Sequence, residues 1–302
     1  MNTENFEILS PYIVRKIWGG KRLPVMKSLD ESGQTLPVGE TWEVSRHEDG
    51  SSKVGNRELS STTSEEDLPY LVKFIDTSDN LSVQVHPHDE YAKRVENSVG
   101  KTECWLILGA EPGSGIYLGF KKGVTKEQFQ EAVERSEDVS RFLVFHEVKR
   151  GDFFFVPAGS IHAIGKGVTL VETQQSSGIT YRVWDWNRVD SEGQSRELHI
   201  EKAMDVSRFD SDFNDSSTFN IQKNLLNMRG VSRVISHSDF DVWIVNGEWD
   251  SSRIKKTSRH VSIISLGEKV EIDGVEILAY QAALGKKIPD KLKSSGSLLV
   301  VT

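Results

Sequence analysis

Gln84-Val85-His86, Glu103 and His162 carry side chains from which one metal centre can be built. Imidazole, carboxylate and side-chain amide oxygen form a borderline-to-hard donor set. It suits Zn2+ and also Fe2+, Mn2+, Co2+ or Ni2+. Three or four protein ligands leave room for water or substrate, the pattern of a catalytic rather than a structural site. Lys101 stands two residues before Glu103. Lys73 interrupts an apolar run, where an inward ammonium is costly without an anionic partner and so points to a role in the site.

The elements that would aim these groups are strands. Residues 151–156, Gly-Asp-Phe-Phe-Phe-Val, read as a buried strand that stops at the Pro157/Gly159 turn and delivers His162 at a fixed distance beyond it. Alternate residues of a strand share a face. Gln84 therefore sides with His86, and Lys101 with Glu103 and Trp105, while Cys104 points away. Residues 69–76 read as a strand, and 81–86, after the turn at 77–80, as its hairpin partner. Pro87 ends that strand, which puts His88 at the entry of a helix rather than in the ligand set. His47, His146, His199, His237 and His260 stand alone and read as structural. A helix begins after Thr125, with Gln128 completing a capping box, and a second, shorter one is expected near 138–145. Strands return at 167–175 and 179–185. The acidic, Ser-rich stretch 209–218 reads as a linker, with short strands after it.

Composition narrows the classes. The 302 residues, 24 of them Gly, with turn signals throughout, favour many short strands in one large or two medium domains. A net charge of −8 without a basic stripe argues against nucleic acid. One cysteine fits a reducing compartment. The start, Met1-Asn-Thr-Glu-Asn-Phe, lacks the pattern of a signal peptide, and no run nears the roughly 20 apolar residues of a membrane span. The expectation is a soluble cytoplasmic protein.

Gly151-x5-Pro157-x-Gly159-x2-His162 resembles the second motif of the cupins, small jelly-roll barrels that hold a metal. Ile17-Trp-Gly-Gly20, residues 39–45, residues 81–87, Gly100-Lys-Thr-Glu-Cys-Trp105, Glu172-Thr-Gln-Gln175 and Thr180-Tyr-Arg-Val-Trp-Asp185 together resemble the type I mannose-6-phosphate isomerases, short bacterial form. The likeness is dense from about residue 11 to 202.

The resemblance implies an all-β chain. A catalytic cupin domain over 1–208 would carry a helical segment near 125–147, and a smaller, degenerate β-domain without a metal site would span 219–302. It implies one Zn2+ per chain, held by His86, Glu103 and His162 together with Gln84, and a sugar phosphate as substrate. The activity implied is interconversion of mannose 6-phosphate and fructose 6-phosphate through a cis-enediol. Arg182 and Lys101 would be catalytic and Lys73 substrate-binding. The proton-transfer group stays open between Lys101 and a water activated at the ion. A non-catalytic sugar-phosphate-binding metallo-cupin and another metal-dependent cupin enzyme are the alternatives. Family members commonly carry Asp four residues before the arginine, where this chain has Gly178, and Glu172 or Glu43 would be the carboxylate to substitute.

Overall fold

The computed structural model describes residues 6–189, 192–250, 259–289 and 291–302. Its strands build three main antiparallel sheets. The first has six strands in the order Phe153–Val156, Glu103–Ala110, Val168–Gln175, Tyr70–Asp76, Val38–Val44 and Tyr12–Arg15. The second has five, ordered Leu143–Glu147, Gly115–Phe120, His162–Ile164, Val83–Val85 and Tyr181–Trp184. These two stack face to face as a jelly roll; the resemblance implied a barrel, and among the described residues neither sheet closes on itself. Ile75, Trp105, Ile107 and Leu170 of the first sheet meet Ile116, Leu118 and Ile164 of the second in one apolar cluster.

Each sheet then buries its outer face on something else. Val83, Val85, Tyr181 and Val183 pack under the helices Lys126–Glu134 and Ile200–Val206. Val72, Phe74, Cys104 and Val171 pack against the third sheet through Val242, Ile244, Ile264 and Leu299. Glu7–Ile8 pairs with Ala282–Gly285, so the N-terminal segment lends a strand to that C-terminal sheet. No helix among the described residues is long and apolar enough to cross a membrane.

The helix after Thr125 forms as read. Thr125 Oγ1 accepts the Gln128 N–H, Gln128 returns the bond, and Phe129 is fully buried. Burying such a ring contributes about 1.5–3 kcal/mol. The shorter helix is only a 3-10 turn, Val139–Phe142, capped by Asp138 and followed by an edge strand, Leu143–Glu147. Val-Phe alternation there favours the pleated surface.

One pairing differs from expectation. Val83–Val85 is not the hairpin partner of Tyr70–Asp76, whose two edges are taken by Val38–Val44 and Val168–Gln175. Residues 77–82 instead cross between the sheets. The Thr77 N–H bonds the Val168 carbonyl and the Leu81 N–H bonds the Ile164 carbonyl. Val83–Val85 then pairs with His162–Ile164 and Tyr181–Trp184. That crossing sets Gln84 and His86 opposite Glu103.

Candidate metal centre and active site

Register across the second sheet places Gln84 between His162 and Arg182 on neighbouring strands. Across the first sheet, Trp105, Glu172, Lys73 and Trp42 are successive lateral partners. Two cross-strand rows therefore line the sandwich interior, one carrying imidazole, amide and guanidinium, the other indole, carboxylate and ammonium.

His86, Glu103 and His162 converge, with ligand atoms that all lie within 4.8 Å of one another. Glu103 Oε2 is 3.4 Å from His86 Nε2, and Glu103 Oε1 is 3.4 Å from His162 Nε2. All three residues are buried. Each histidine faces a backbone carbonyl through Nδ1, His86 to Ile179 at 2.8 Å and His162 to Ser160 at 3.0 Å. Those bonds hold the proton on Nδ1 and turn the Nε2 lone pairs inward, which is how proteins orient metal-binding imidazoles. Burial pushes both rings below their usual range, His86 well below and His162 to about 4, with Lys101 adding to the shift. The rings are thus neutral at pH 7, as ligation requires.

Among the described residues nothing donates to Glu103 Oε1 although it is buried, and a buried carboxylate oxygen without a donor calls for a cation. The residues fit a divalent metal. Gln84 Nε2 lies 3.2 Å from His162 Nε2, and the same amide turned over would offer its oxygen to the cluster.

Beside the ligand atoms sits a network of buried charge. Lys101 Nζ bonds Glu103 Oε2, lies 3.0 Å from His86 Nε2 and 3.6 Å from Glu172 Oε1. Lys73 Nζ is 3.1 Å from Glu172 and 3.5 Å from Glu40. Burial works against the Lys73 charge, yet Glu172, Glu40 and Glu103 hold its pKa above the ordinary value. Burial likewise opposes the Glu172 charge, yet Lys73 and Lys101 hold that carboxyl below its usual range. Burial and then Glu172 push Glu103 up.

A cavity of about 370 Å3 opens beside this network. Lys16, Lys73, Lys101, Arg182 and Arg196 line it against Glu40, Asp49 and Glu172. Trp18 and Trp42 also form part of its wall, whereas Trp184 and Trp186 belong to the helix-covered core. Arg182 Nη1 donates to the Glu197 carbonyl at 2.8 Å, and its Nε is buried without a partner among the described residues. Burial and the neighbouring Arg196 lower the Arg182 pKa, and Arg196 itself is held by Asp185. The excess of cations suits a small anion.

The structure thus brings together His86, Glu103, His162, Gln84, Lys101, Lys73 and Arg182. His88 caps the helix Asp89–Glu96 as expected and accepts the Tyr91 N–H. Glu43 is a correction. It points into the core with Lys27, 2.6 Å away, and does not reach the cavity, because Glu40 and Trp42 hold the inward positions of its strand. Glu40 and Asp49 were missed. Alternation from Trp42 pointed to the first, and nothing in the sequence singled out the second.

Known proteins resemble this chain over most of its length. The model of the phosphomannose isomerase type I catalytic domain matches residues 7–104. A mannose-6-phosphate isomerase of Streptococcus mutans serotype c is 35% identical over 300 residues, covering 93% of this chain and 91% of that protein. The crystal structure of the mannose 6-phosphate isomerase of Bacillus subtilis superposes with a TM-score of 0.78 at 26% identity, covering 99% of this chain and 100% of the other. A mannose 6-phosphate isomerase solved in a zinc-bound holo form shares the fold, with a TM-score of 0.74 at 13% identity over 98% of both chains. The chain belongs to the type I mannose-6-phosphate isomerases and is an aldose–ketose isomerase.

Proposed function

We propose that the chain interconverts mannose 6-phosphate and fructose 6-phosphate in the cytoplasm, with one Zn2+ held by His86, Glu103 and His162 and with Gln84 at its side. The observation that carries this reading is the convergence of two inward Nε2 lone pairs on a carboxylate with an unsatisfied oxygen, beside a cationic cavity. The zinc-bound relative supports the choice of metal. Zinc supplies a Lewis acid for the sugar oxygen on which negative charge builds.

The chain's own groups do the rest. Isomerisation removes a proton from carbon 2 of the open-chain aldose and returns one to carbon 1 while the carbonyl moves. Lys101 reaches both the ligand carboxylate and the cavity, and we assign it to move that proton. Arg182, with an unpartnered Nε, donates to the oxygen that becomes anionic, a contribution of about 3 kcal/mol to the barrier. Lys73, already fixed between Glu172 and Glu40, binds substrate at the cavity wall. We divide the chain into a catalytic domain over 1–208 and a C-terminal β-domain over 219–302 that contributes packing.

A coupled assay on chelated and zinc-restored protein tests the reading. Turnover should vanish with the metal and return with zinc. Turnover indifferent to complete metal removal would overturn it.

A further inference from the structure

Among the described residues three carboxylates line the cavity, and two of them are already bound. Glu40 accepts the Trp42 indole N–H at 2.7 Å and lies 3.5 Å from Lys73. Glu172 accepts the Trp105 indole N–H at 3.0 Å and lies 3.1 Å from Lys73. The third is Asp49, at the tip of the hairpin formed by Arg46–His47 and Gly50–Ser51. His47 is its charged-group neighbour, but its Nδ1 lies 3.6 Å from Oδ2, beyond hydrogen-bond distance, and accepts the Asp49 backbone N–H instead. Among the described residues no lysine or arginine pairs with Asp49, and its side chain is 71% exposed.

Gly178 lets its backbone approach this hairpin closely. A Cβ built there would stand 3.3 Å from Asp49 Oδ2 and 3.1–3.2 Å from the His47 ring. The backbone at 178 is not left-handed, so the glycine answers no conformational demand. What it supplies is the close approach of the two segments, with Asp49 left uncovered by any side chain at 178. An acceptor-only group with two free oxygens therefore faces a cavity whose other charged residues, among those described, are five cations and two carboxylates that are already bound.

A sugar phosphate carries two chemistries, a dianion that the basic groups attract and a run of hydroxyls that need acceptors. We propose that Asp49 is the hydroxyl-binding group of this cavity, accepting hydrogen bonds from the polyol of the substrate while the basic side chains take its phosphate. The assignment rests on the isomerase reading and orients the sugar within it. It also gives the hairpin a task that no motif marks. Phosphate is kept away from Asp49 by like charge, so the sugar enters in one direction only.

The test uses the zinc-loaded full chain and its Asp49→Ala and Asp49→Asn variants. It reads kcat and KM for mannose 6-phosphate and the inhibition constant of inorganic phosphate. Loss of hydrogen bonds to a charged acceptor should lower kcat/KM about tenfold to hundredfold. The phosphate inhibition constant should stay within about twofold, since phosphate lacks the hydroxyls that Asp49 binds. Asp49→Asn, which keeps one acceptor oxygen, should lose less than Asp49→Ala, with the phosphate constant unmoved in both. A merely structural hairpin aspartate would not separate the two constants in this way. The proposal fails if Asp49→Ala keeps kcat/KM within twofold of wild type, or if KM and the phosphate constant rise together. A wild-type chain without turnover would defeat the isomerase reading instead, and the same contrast, measured calorimetrically as binding of mannose 6-phosphate against inorganic phosphate, would still decide Asp49.

Discussion

Two buried lysine–glutamate pairs lie against opposite faces of the six-stranded sheet, and their fates differ. On the core face Lys27 Nζ is 2.6 Å from Glu43 Oε2, 4.7 Å from the centre of the Phe74 ring, and bonded to the Tyr280 carbonyl. Burial drives the Lys27 pKa down and the Glu43 pKa up, both toward neutrality. On the cavity face Lys73 and Glu172 are shifted the opposite way, because Glu40, Lys101 and Glu103 stand close enough to sustain their charges against burial. Burial of charge is therefore no mark of function by itself. A charge network that opens onto a cavity is the better mark.

The contrast breaks first at the level of activity. Replacing the cavity pair by apolar residues, Lys73→Met with Glu172→Leu, removes both charges and leaves neither alone. We expect kcat/KM to fall at least about 10^3-fold, with the far-ultraviolet circular dichroism unchanged. Turnover within tenfold of wild type would make the two faces equivalent. Next in size is Lys27→Met alone. It strands Glu43 in the core at a cost of about 3–5 kcal/mol, read in urea unfolding, while kcat/KM of the folded fraction holds.

Titration sharpens the comparison further. Burial holds His162 at about 4, below its ordinary 6.5, so the unfolded chain takes the proton first as pH falls. Stability is complete above about pH 6.5 and is lost from there toward pH 4, on the order of 3 kcal/mol for this ring. His86 is shifted in the same direction. Glu103, pushed up to about 7, takes its proton first in the folded state and opposes this loss as pH falls, so the readout is a difference: chelated His162→Gln should lose less Tm than chelated wild type between about pH 6.5 and pH 4. A slope that His162→Gln leaves unchanged would place the titrating groups elsewhere.

How much of this was written locally can be judged residue by residue. The two-residue period placed Gln84 with His86 and Lys101 with Glu103, and the Pro157/Gly159 turn announced His162, because these depend only on pleat and turn chemistry. The strand crossing at 77–82 was not legible. A four-residue turn between two apolar strands looks like a hairpin, and only the strands that occupy both edges of Tyr70–Asp76 forbid it. Lys73 announced that it needed an anion without naming Glu172, 99 residues away, which pairs with it through sheet register. Glu40 and Glu43 sit three apart in one strand and look alike in sequence. Parity alone sends one to the cavity and the other to the core. Asp49 resembles any turn aspartate until the backbone of Gly178 stands in front of it.

The smallest expected effect is the most discriminating. Replacing both partners of the core pair, Lys27→Met with Glu43→Leu, removes two desolvated charges at once and substitutes side chains of similar volume. The losses are definite: Thr41 Oγ1 no longer donates to Glu43 at 2.6 Å, and the Tyr280 carbonyl loses the Lys27 ammonium. Each forfeited bond costs about 1 kcal/mol. The gain is release from burying an ammonium and a carboxylate, which often makes such a swap neutral or better. The two sides should cancel to within about 1 kcal/mol in urea unfolding, with kcat/KM within about threefold of wild type. If this double variant instead loses activity as the cavity double variant does, the core pair is tied to the active site through the sheet, and the two faces are one functional unit.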